Sequence, residues 1–219
     1  VFATLFLLAL GWYRGALGGL RNTLHPTVGL RTIGELGGTL FYLIALANLP
    51  LANVSAVFQA LPLAVTLGAV LFLREPVGWR RWVAILVGFF GILVIVRPGL
   101  EGFTIYSLIT LVCVLFCALR DLSTTRIPHS VATLQLSIVT AGIITVFGAA
   151  LVVPMGGRSA LSTYDLFHLA GAGVLLLVGY QTIIVAVRGV DIAFIAPFRY
   201  TSLLWAMLMG LLFFSDFPD

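Results

Sequence analysis

The chain has 219 residues, 61% of them hydrophobic and 9% charged, with a formal charge of +4 at pH 7 and a mean hydropathy of +1.15. Soluble domains carry about 25% charged residues, so that class is excluded. All 12 basic residues are arginines, most of them at the ends of apolar blocks, and without a clustered basic patch they do not point to nucleic acid as a partner.

Eight apolar blocks follow one another: residues 1–13, 33–49, 52–73, 82–96 (with a start as early as 77), 104–119, 131–153, 166–187 and 192–214. Most approach or exceed the ~20 residues that cross ~30 Å of hydrocarbon as helix. The alternating segments of about ten residues that build a transmembrane β-barrel are absent. The expected class is therefore an all-α polytopic helical membrane protein. The block at 1–13 is too short to cross unless its start is missing, and no signal-peptide pattern opens the chain. Seven full spans and one truncated span are expected.

The second block carries Glu35 about one turn inside its start, flanked by Gly34, Gly37 and Gly38, which permit close helix approach. Glu35 is either a carboxylate near a helix N-terminus, favoured by the helix dipole, or a partner for an intramembrane cation or proton. In the third block Ser55, Gln59, Pro62, Thr66 and Ala69 fall within about 80° of one another on a helical wheel. That stripe serves either helix packing or cavity lining, and Gln59, with four bonding sites on its amide, fits a cavity. Pro62 and Pro197 each remove a backbone donor inside a helix and displace the carbonyls of Phe58 and Ala193. In a membrane such carbonyls need another partner or a wet cavity.

Cys113 and Cys117 lie one turn apart without His or carboxylate neighbours, which reads as buried cysteine and not as a metal site. Thr133, Ser137 and Thr140 can bond their own helix backbone. Asp165 reads as an N-cap. Tyr180, Gln181, Tyr200 and Trp205 are further candidates for a cavity wall, where aromatics suit planar or amphipathic ligands, although aromatic packing is the commoner use.

The last block, "DIAFIAPFRYTSLLW", places Arg199 inside apolar helix. A lone arginine at mid-membrane costs about 2.5–3.5 kcal/mol on insertion scales. Arg199, Ser202, Ala206 and Gly210 share one face, which is small and polar and belongs inside a bundle. The alternative is snorkelling of the side chain toward the helix N-terminus and the cytoplasmic interface, but the wheel favours Arg199 pointing inward, held by Glu35 or by backbone carbonyls, where it could meet an anionic or acceptor group of a ligand.

The loops also orient the chain. Arg14, Arg21, Arg31, Arg74, Arg80, Arg81, Arg120, Arg126 and Arg188 fall in or beside the odd-numbered links, and only Arg97 and Arg158 in the even ones. The odd links are thus expected on the cytoplasmic side. There is also a weak internal repeat. A shift of 141 residues lays Ala45 on Ala186, Ala52 on Ala193, Leu63 on Leu204, Phe72 on Phe213 and Glu75 on Asp216. The two hairpins so related turn on opposite sides, the pattern of an inverted repeat.

The stretch "LFYLIALANLPLANVSAVFQALPLAVTLGAVLFLREPVGWRRWVAILVGFFGILVIVRPG" resembles the EamA domain family of the drug/metabolite transporter superfamily, and the half ending in "IAPFRYTSLLWA" resembles a second copy. The resemblance implies ten helices in two inverted five-helix repeats, here residues 1–100 and 101–219. By that template the first helix, the start of the second and the tenth are missing. It also implies secondary transport of a small metabolite or drug across the bacterial inner membrane by alternating access, through a central cavity on residues 33–73 and 166–214. It offers no catalytic residue, metal or cofactor. The expected partners are the lipid bilayer, a small-molecule substrate and a coupling proton or ion. The substrate-binding candidates are Arg199, Gln59, Glu35, Ser55, Thr66, Tyr180, Gln181, Ser202 and Trp205. A membrane-embedded enzyme and a non-transporting scaffold are the alternatives. No nucleophile or metal-spaced cluster supports the first, and the repeat and the buried polar stripes weigh against the second.

Overall fold

The computed structural model describes residues 2–49, 51–96, 104–152, 162–201 and 205, and among them every regular element is helical. The elements are α1 (Phe2–Tyr13), a 3₁₀ segment (Ala16–Thr23), α2 (Pro26–Asn48), α3 (Leu51–Phe58), α4 (Leu61–Gly68), a π turn (Ala69–Leu73), α5 (Trp79–Val96), α6 (Ile105–Thr125), α7 (Thr133–Val152), α8 (Thr163–Gly189), α9 (Ile192–Ile195) and a 3₁₀ turn (Ala196–Tyr200). Of these, α2, α6, α7 and α8 are long and apolar enough to cross a membrane.

Several boundaries differ from the hydropathy blocks. α2 starts at Pro26, well before residue 33. His25 caps it: its ring Nδ1 accepts from the Thr27 N–H at 3.3 Å, and its carbonyl accepts from Val28 at 2.9 Å. Pro26 takes the first helical position, where no backbone donor is lost. Glu35 is therefore more than two turns inside the helix, and its reading as an N-terminal carboxylate fails. At its other end α6 runs past residue 119 to Thr125.

The third block is one helix by hydropathy and three pieces in space. α3 stops at Phe58, whose carbonyl loses its donor to the Pro62 ring, and α4 begins with that proline in its first turn. The π turn then ends at Arg74, a left-handed residue with φ 58°. The last block breaks in the same way: four residues of α9 pass into the 3₁₀ turn that carries Pro197. At the start of α8, Ser162 is the cap, and Asp165 is its reciprocal partner instead of the cap itself. The Ser162 Oγ accepts from Tyr164 N–H at 3.4 Å, and Asp165 Oδ2 accepts from Ser162 N–H at 3.0 Å.

The chain divides into two compact units, each drawing on both halves of the sequence: residues 1–39 with 119–189, and residues 40–118 with 190–219. In the first unit α1 packs on α7 and α8. Thr4 Oγ1 donates to the Ala141 carbonyl at 3.1 Å and lies 2.7 Å from Thr145 Oγ1. A Cβ on Gly173 would stand 3.0 Å from Phe2 Cβ and 3.2 Å from the Ala3 nitrogen, so glycine permits this crossing. Val28, Ile127, Val131, Leu136 and Ile184 form a core against which Tyr180 packs.

In the second unit Phe41 stacks on Phe116 with ring centroids 5.4 Å apart, and Val54, Val65, Ala69 and Ile85 are fully buried. The Tyr200 ring lies on Gly88, where an added Cβ would come within 2.5 Å of it, and its hydroxyl donates to the Ile85 carbonyl at 3.2 Å. Glu75 Oε2 accepts from the Ala193 N–H at 3.4 Å at the start of α9.

Candidate functional site

The most heavily charged buried region among the described residues lies in the first unit. Arg31 on α2 is 1% exposed. Its Nε donates to Thr124 Oγ1 at 3.0 Å, its Nη1 to Thr140 Oγ1 at 2.8 Å and its Nη2 to the Tyr180 hydroxyl at 2.9 Å. Three helices thus supply one neutral oxygen each, α6, α7 and α8. Thr124 and Thr140 are free to accept because each donates its own proton to a backbone carbonyl one turn earlier, Arg120 and Leu136.

Glu35 lies one turn further along α2 and is 8% exposed. Its Oε2 accepts from the Tyr180 hydroxyl and stands 3.8 Å from Arg31 Nη2. Its Oε1 accepts from Arg120 Nη1 at 3.4 Å. Arg120 Nε donates to Asp121 Oδ1 at 2.8 Å, and the two side chains are 22% and 6% exposed. Two cations and two anions are therefore enclosed together. A buried charge is costly alone and tolerable when paired and hydrogen-bonded. Here every guanidinium and carboxylate has a named partner.

A cavity of about 70 Å³ opens against this network. Arg31, Arg120, Asp121, Thr124 and Tyr180 give it a polar wall, and Ile183, Ile184 and Val187 an apolar one. Below it Arg188, near the end of α8, ties the α6–α7 link in place. Its Nη2 donates to the Pro128 carbonyl at 3.0 Å, and its Nη1 to the Val131 carbonyl at 2.9 Å and to Thr133 Oγ1 at 3.2 Å.

Of the residues singled out from sequence, Glu35 and Tyr180 meet directly. Both Glu35 carboxylate oxygens are engaged within the first unit, by Arg120, Tyr180 and Arg31. Arg199 belongs to the second unit, in the 3₁₀ turn Ala196–Tyr200, with its Nε and Nη2 buried. Gln59 and Ser55 are half-buried at and before the α3–α4 break, and Thr66 on α4 is fully buried. Gln181, on α8 beside Tyr180, is half-buried, and its Nε2 is buried without a hydrogen-bond acceptor among the described residues. Trp205 is 61% exposed, and Ser202 lies outside the described residues. Cys113 and Cys117 are buried thiols, and no group of three metal-ligating side chains occurs among the described residues. The sequence reading missed Arg31, Arg120, Asp121 and Thr124 as site residues.

Residues 1–97 match the EamA-like transporter family. The chain is 31% identical to the riboflavin transporter of Vibrio cholerae over 190 residues, covering 86% of this chain and 63% of that protein. It is 30% identical to the S-adenosylmethionine uptake transporter of Rickettsia felis over 227 residues, covering 100% of this chain and 73% of that one. It is 28% identical to the pseudopaline exporter of Pseudomonas aeruginosa, covering 81% of this chain and 63% of that one. A solved crystal structure shares the fold with a TM-score of 0.81 at 18% identity, covering 100% of this chain and 77% of the other. With long apolar helices and a Rickettsia relative that matches the whole of this chain, this multi-pass membrane chain belongs to the EamA-like transporter family, a family of transporters and not of enzymes.

Proposed function

We propose that the chain belongs to a secondary transporter that moves a small metabolite or drug across the bacterial inner membrane by alternating access. One observation carries this reading: four charged side chains and a bridging phenol are enclosed between helices that are otherwise apolar, against a cavity with one polar and one apolar wall. Intramembrane charges that face inward mark ligand or ion paths more often than they serve packing. The names of the relatives cover uptake and export, so direction is left open.

The two repeats are assigned to residues 1–100 and 101–219, a division supported by the family match over residues 1–97. The positive-inside distribution supports odd-numbered links in the cytoplasm. The remaining sequence candidates, Arg199, Gln59, Ser55, Thr66, Gln181, Ser202 and Trp205, are assigned to the substrate path. A proton or ion gradient drives the cycle.

The protein in proteoliposomes, given a mixture of cell metabolites and an imposed proton, sodium or substrate gradient, should accumulate or release at least one metabolite above empty vesicles. No movement of any metabolite under any gradient sinks the transporter reading. Single cysteines at Asn48 and Gly189, in a background lacking Cys113 and Cys117, should label from opposite faces. Labelling from one face refutes the inverted repeat.

A further inference from the structure

We infer that the first turn of α9 is a two-position switch, held in its present form by Glu75 and Arg81, and that its release is a step of the transport cycle. The inference rests on the transporter reading and adds a moving part to it.

The start of α9 shows an exchange of partners within the second unit. Asp191 stands at the N-cap with φ −52° and ψ 126°, yet its side chain makes no capping bond. An aspartate there ordinarily accepts from one of the first free N–H groups of its own helix. Here Glu75 Oε2, from the link between the π turn and α5, accepts from the Ala193 N–H at 3.4 Å. Asp191 Oδ2 lies instead 3.9 Å from Nη1 of Arg81, in the first turn of α5. The same guanidinium lies over the Phe194 ring, 5.8 Å from its centroid. Glu75 thus supplies the cap of α9, and Asp191 is diverted to Arg81.

A second arrangement satisfies the same groups. When the link moves away, rotation of the Asp191 side chain brings its carboxylate to the Ala193 N–H, because the Asp191 backbone already has a capping conformation. No donor is left orphaned by the change. An element with two satisfied arrangements passes between them without melting. The present one is also easily broken. The Arg81 and Asp191 side chains are 34% and 64% exposed, and exposed ion pairs contribute little. Glu75 itself follows Arg74, whose φ of 58° is left-handed and disfavoured for a residue with a side chain.

The far end of the segment is anchored differently. Tyr200 closes the 3₁₀ turn with its ring against Gly88 and its hydroxyl on the Ile85 carbonyl. Between the two anchors Pro197 removes a backbone donor. Release at Asp191 therefore swings the first turn of α9 about Pro197 while Tyr200 stays in place. The residues just before Asp191 include Arg188 and belong to an odd-numbered link, so the moving turn stands at the cytoplasmic end of the path.

Hydrogen exchange of the Ala193 amide, on the protein in nanodiscs, tests the switch without a ligand. Glu75→Ala and Asp191→Ala should each accelerate it by less than about threefold, because the remaining carboxylate serves the amide, and the double variant by at least about thirtyfold. Unchanged exchange along α5 checks that the fold is kept. A double variant no faster than the product of the two singles overturns the exchange of partners. A second measurement uses Arg81→Cys with Asp191→Cys, in a background lacking Cys113 and Cys117, bridged by a reducible bis-methanethiosulfonate. Any metabolite of a cell-metabolite mixture that crosses proteoliposomes of the unbridged protein should stop crossing once the bridge forms and cross again after reduction. Crossing that the bridge leaves unchanged overturns the step, while the transporter reading stands. If neither wild-type nor unbridged protein moves any metabolite, the transporter reading falls and the step with it, and exchange at Ala193 still decides whether the switch exists.

Discussion

Arg31 Nη2 and Glu35 Oε2 lie 3.8 Å apart on one turn of α2, and the Tyr180 hydroxyl joins them, accepting from the arginine and donating to the carboxylate. The phenol completes an ion pair that is too long to be a direct hydrogen bond. Tyr180→Phe keeps the ring and its packing and removes only the bridge. It should lower stability by about 1–3 kcal/mol, the range for leaving buried polar atoms short of a partner. Thermal unfolding of the purified variant in detergent checks this. An unchanged midpoint would mean that the bridge contributes nothing.

Charge balance within the network predicts a specific non-additivity. Arg31→Gln leaves an excess of negative charge and Glu35→Gln an excess of positive charge. Each should cost about 3–5 kcal/mol, as broken buried pairs do. The double variant restores neutrality and should lose less than the sum of the two singles, by about 1–3 kcal/mol. Simple additivity in a double-mutant cycle would show that the two charges do not sense each other.

The small-residue contact in the second unit gives a steric prediction. A methyl group on Gly88 would press into the Tyr200 ring. Gly88→Ala should cost about 1–3 kcal/mol through overpacking. With Tyr200 also changed to Ala, the added cost of the methyl group should vanish. Thermal unfolding of both single variants and of the double reads this out, and a cost that persists without the ring would assign it elsewhere.

The helical class is readable from composition and hydropathy, while the site is readable only in part. Hydropathy ends a span where charges begin, so the second span was set to start after Arg31 and the fifth to end before Arg120. Both arginines were thereby assigned to loops. In the structure α2 and α6 run on through them, because the charges compensate each other and three hydroxyls receive the Arg31 guanidinium. Glu35 and Tyr180 stood out as polar residues in apolar blocks, but their meeting spans 145 positions in sequence. No local spacing encodes that contact. Arg199 is the arginine farthest inside an apolar block, and its place in the sequence does not by itself name its partner. The breaks at Pro62 and Pro197 followed from the missing donor, although the π turn at Ala69–Leu73 had no sequence signal.

Arg188 offers the last prediction. Its guanidinium reaches the carbonyls of Pro128 and Val131 in the link between α6 and α7 and the hydroxyl of Thr133, the first residue of α7. Within the link the Pro128 carbonyl also accepts from the Val131 N–H at 3.1 Å, and the Ala132 N–H serves Gln135 Oε1 at 3.2 Å, so the Val131 carbonyl and Thr133 hydroxyl depend most on the arginine. A charged donor to a carbonyl is worth about 1.5–3 kcal/mol. Arg188→Ala should therefore loosen the link locally instead of unfolding the unit, because Val131, Leu136 and Ile184 keep their own packing. Amide hydrogen exchange over residues 129–135 should accelerate by about tenfold or more, corresponding to about 1.4 kcal/mol of local opening, while the amides of α1 change little. Arg188→Lys should recover only part of the protection, since an ammonium cannot span three acceptors with a planar fork. Exchange in that link that is the same in wild type and Arg188→Ala would show that the arginine does not hold it.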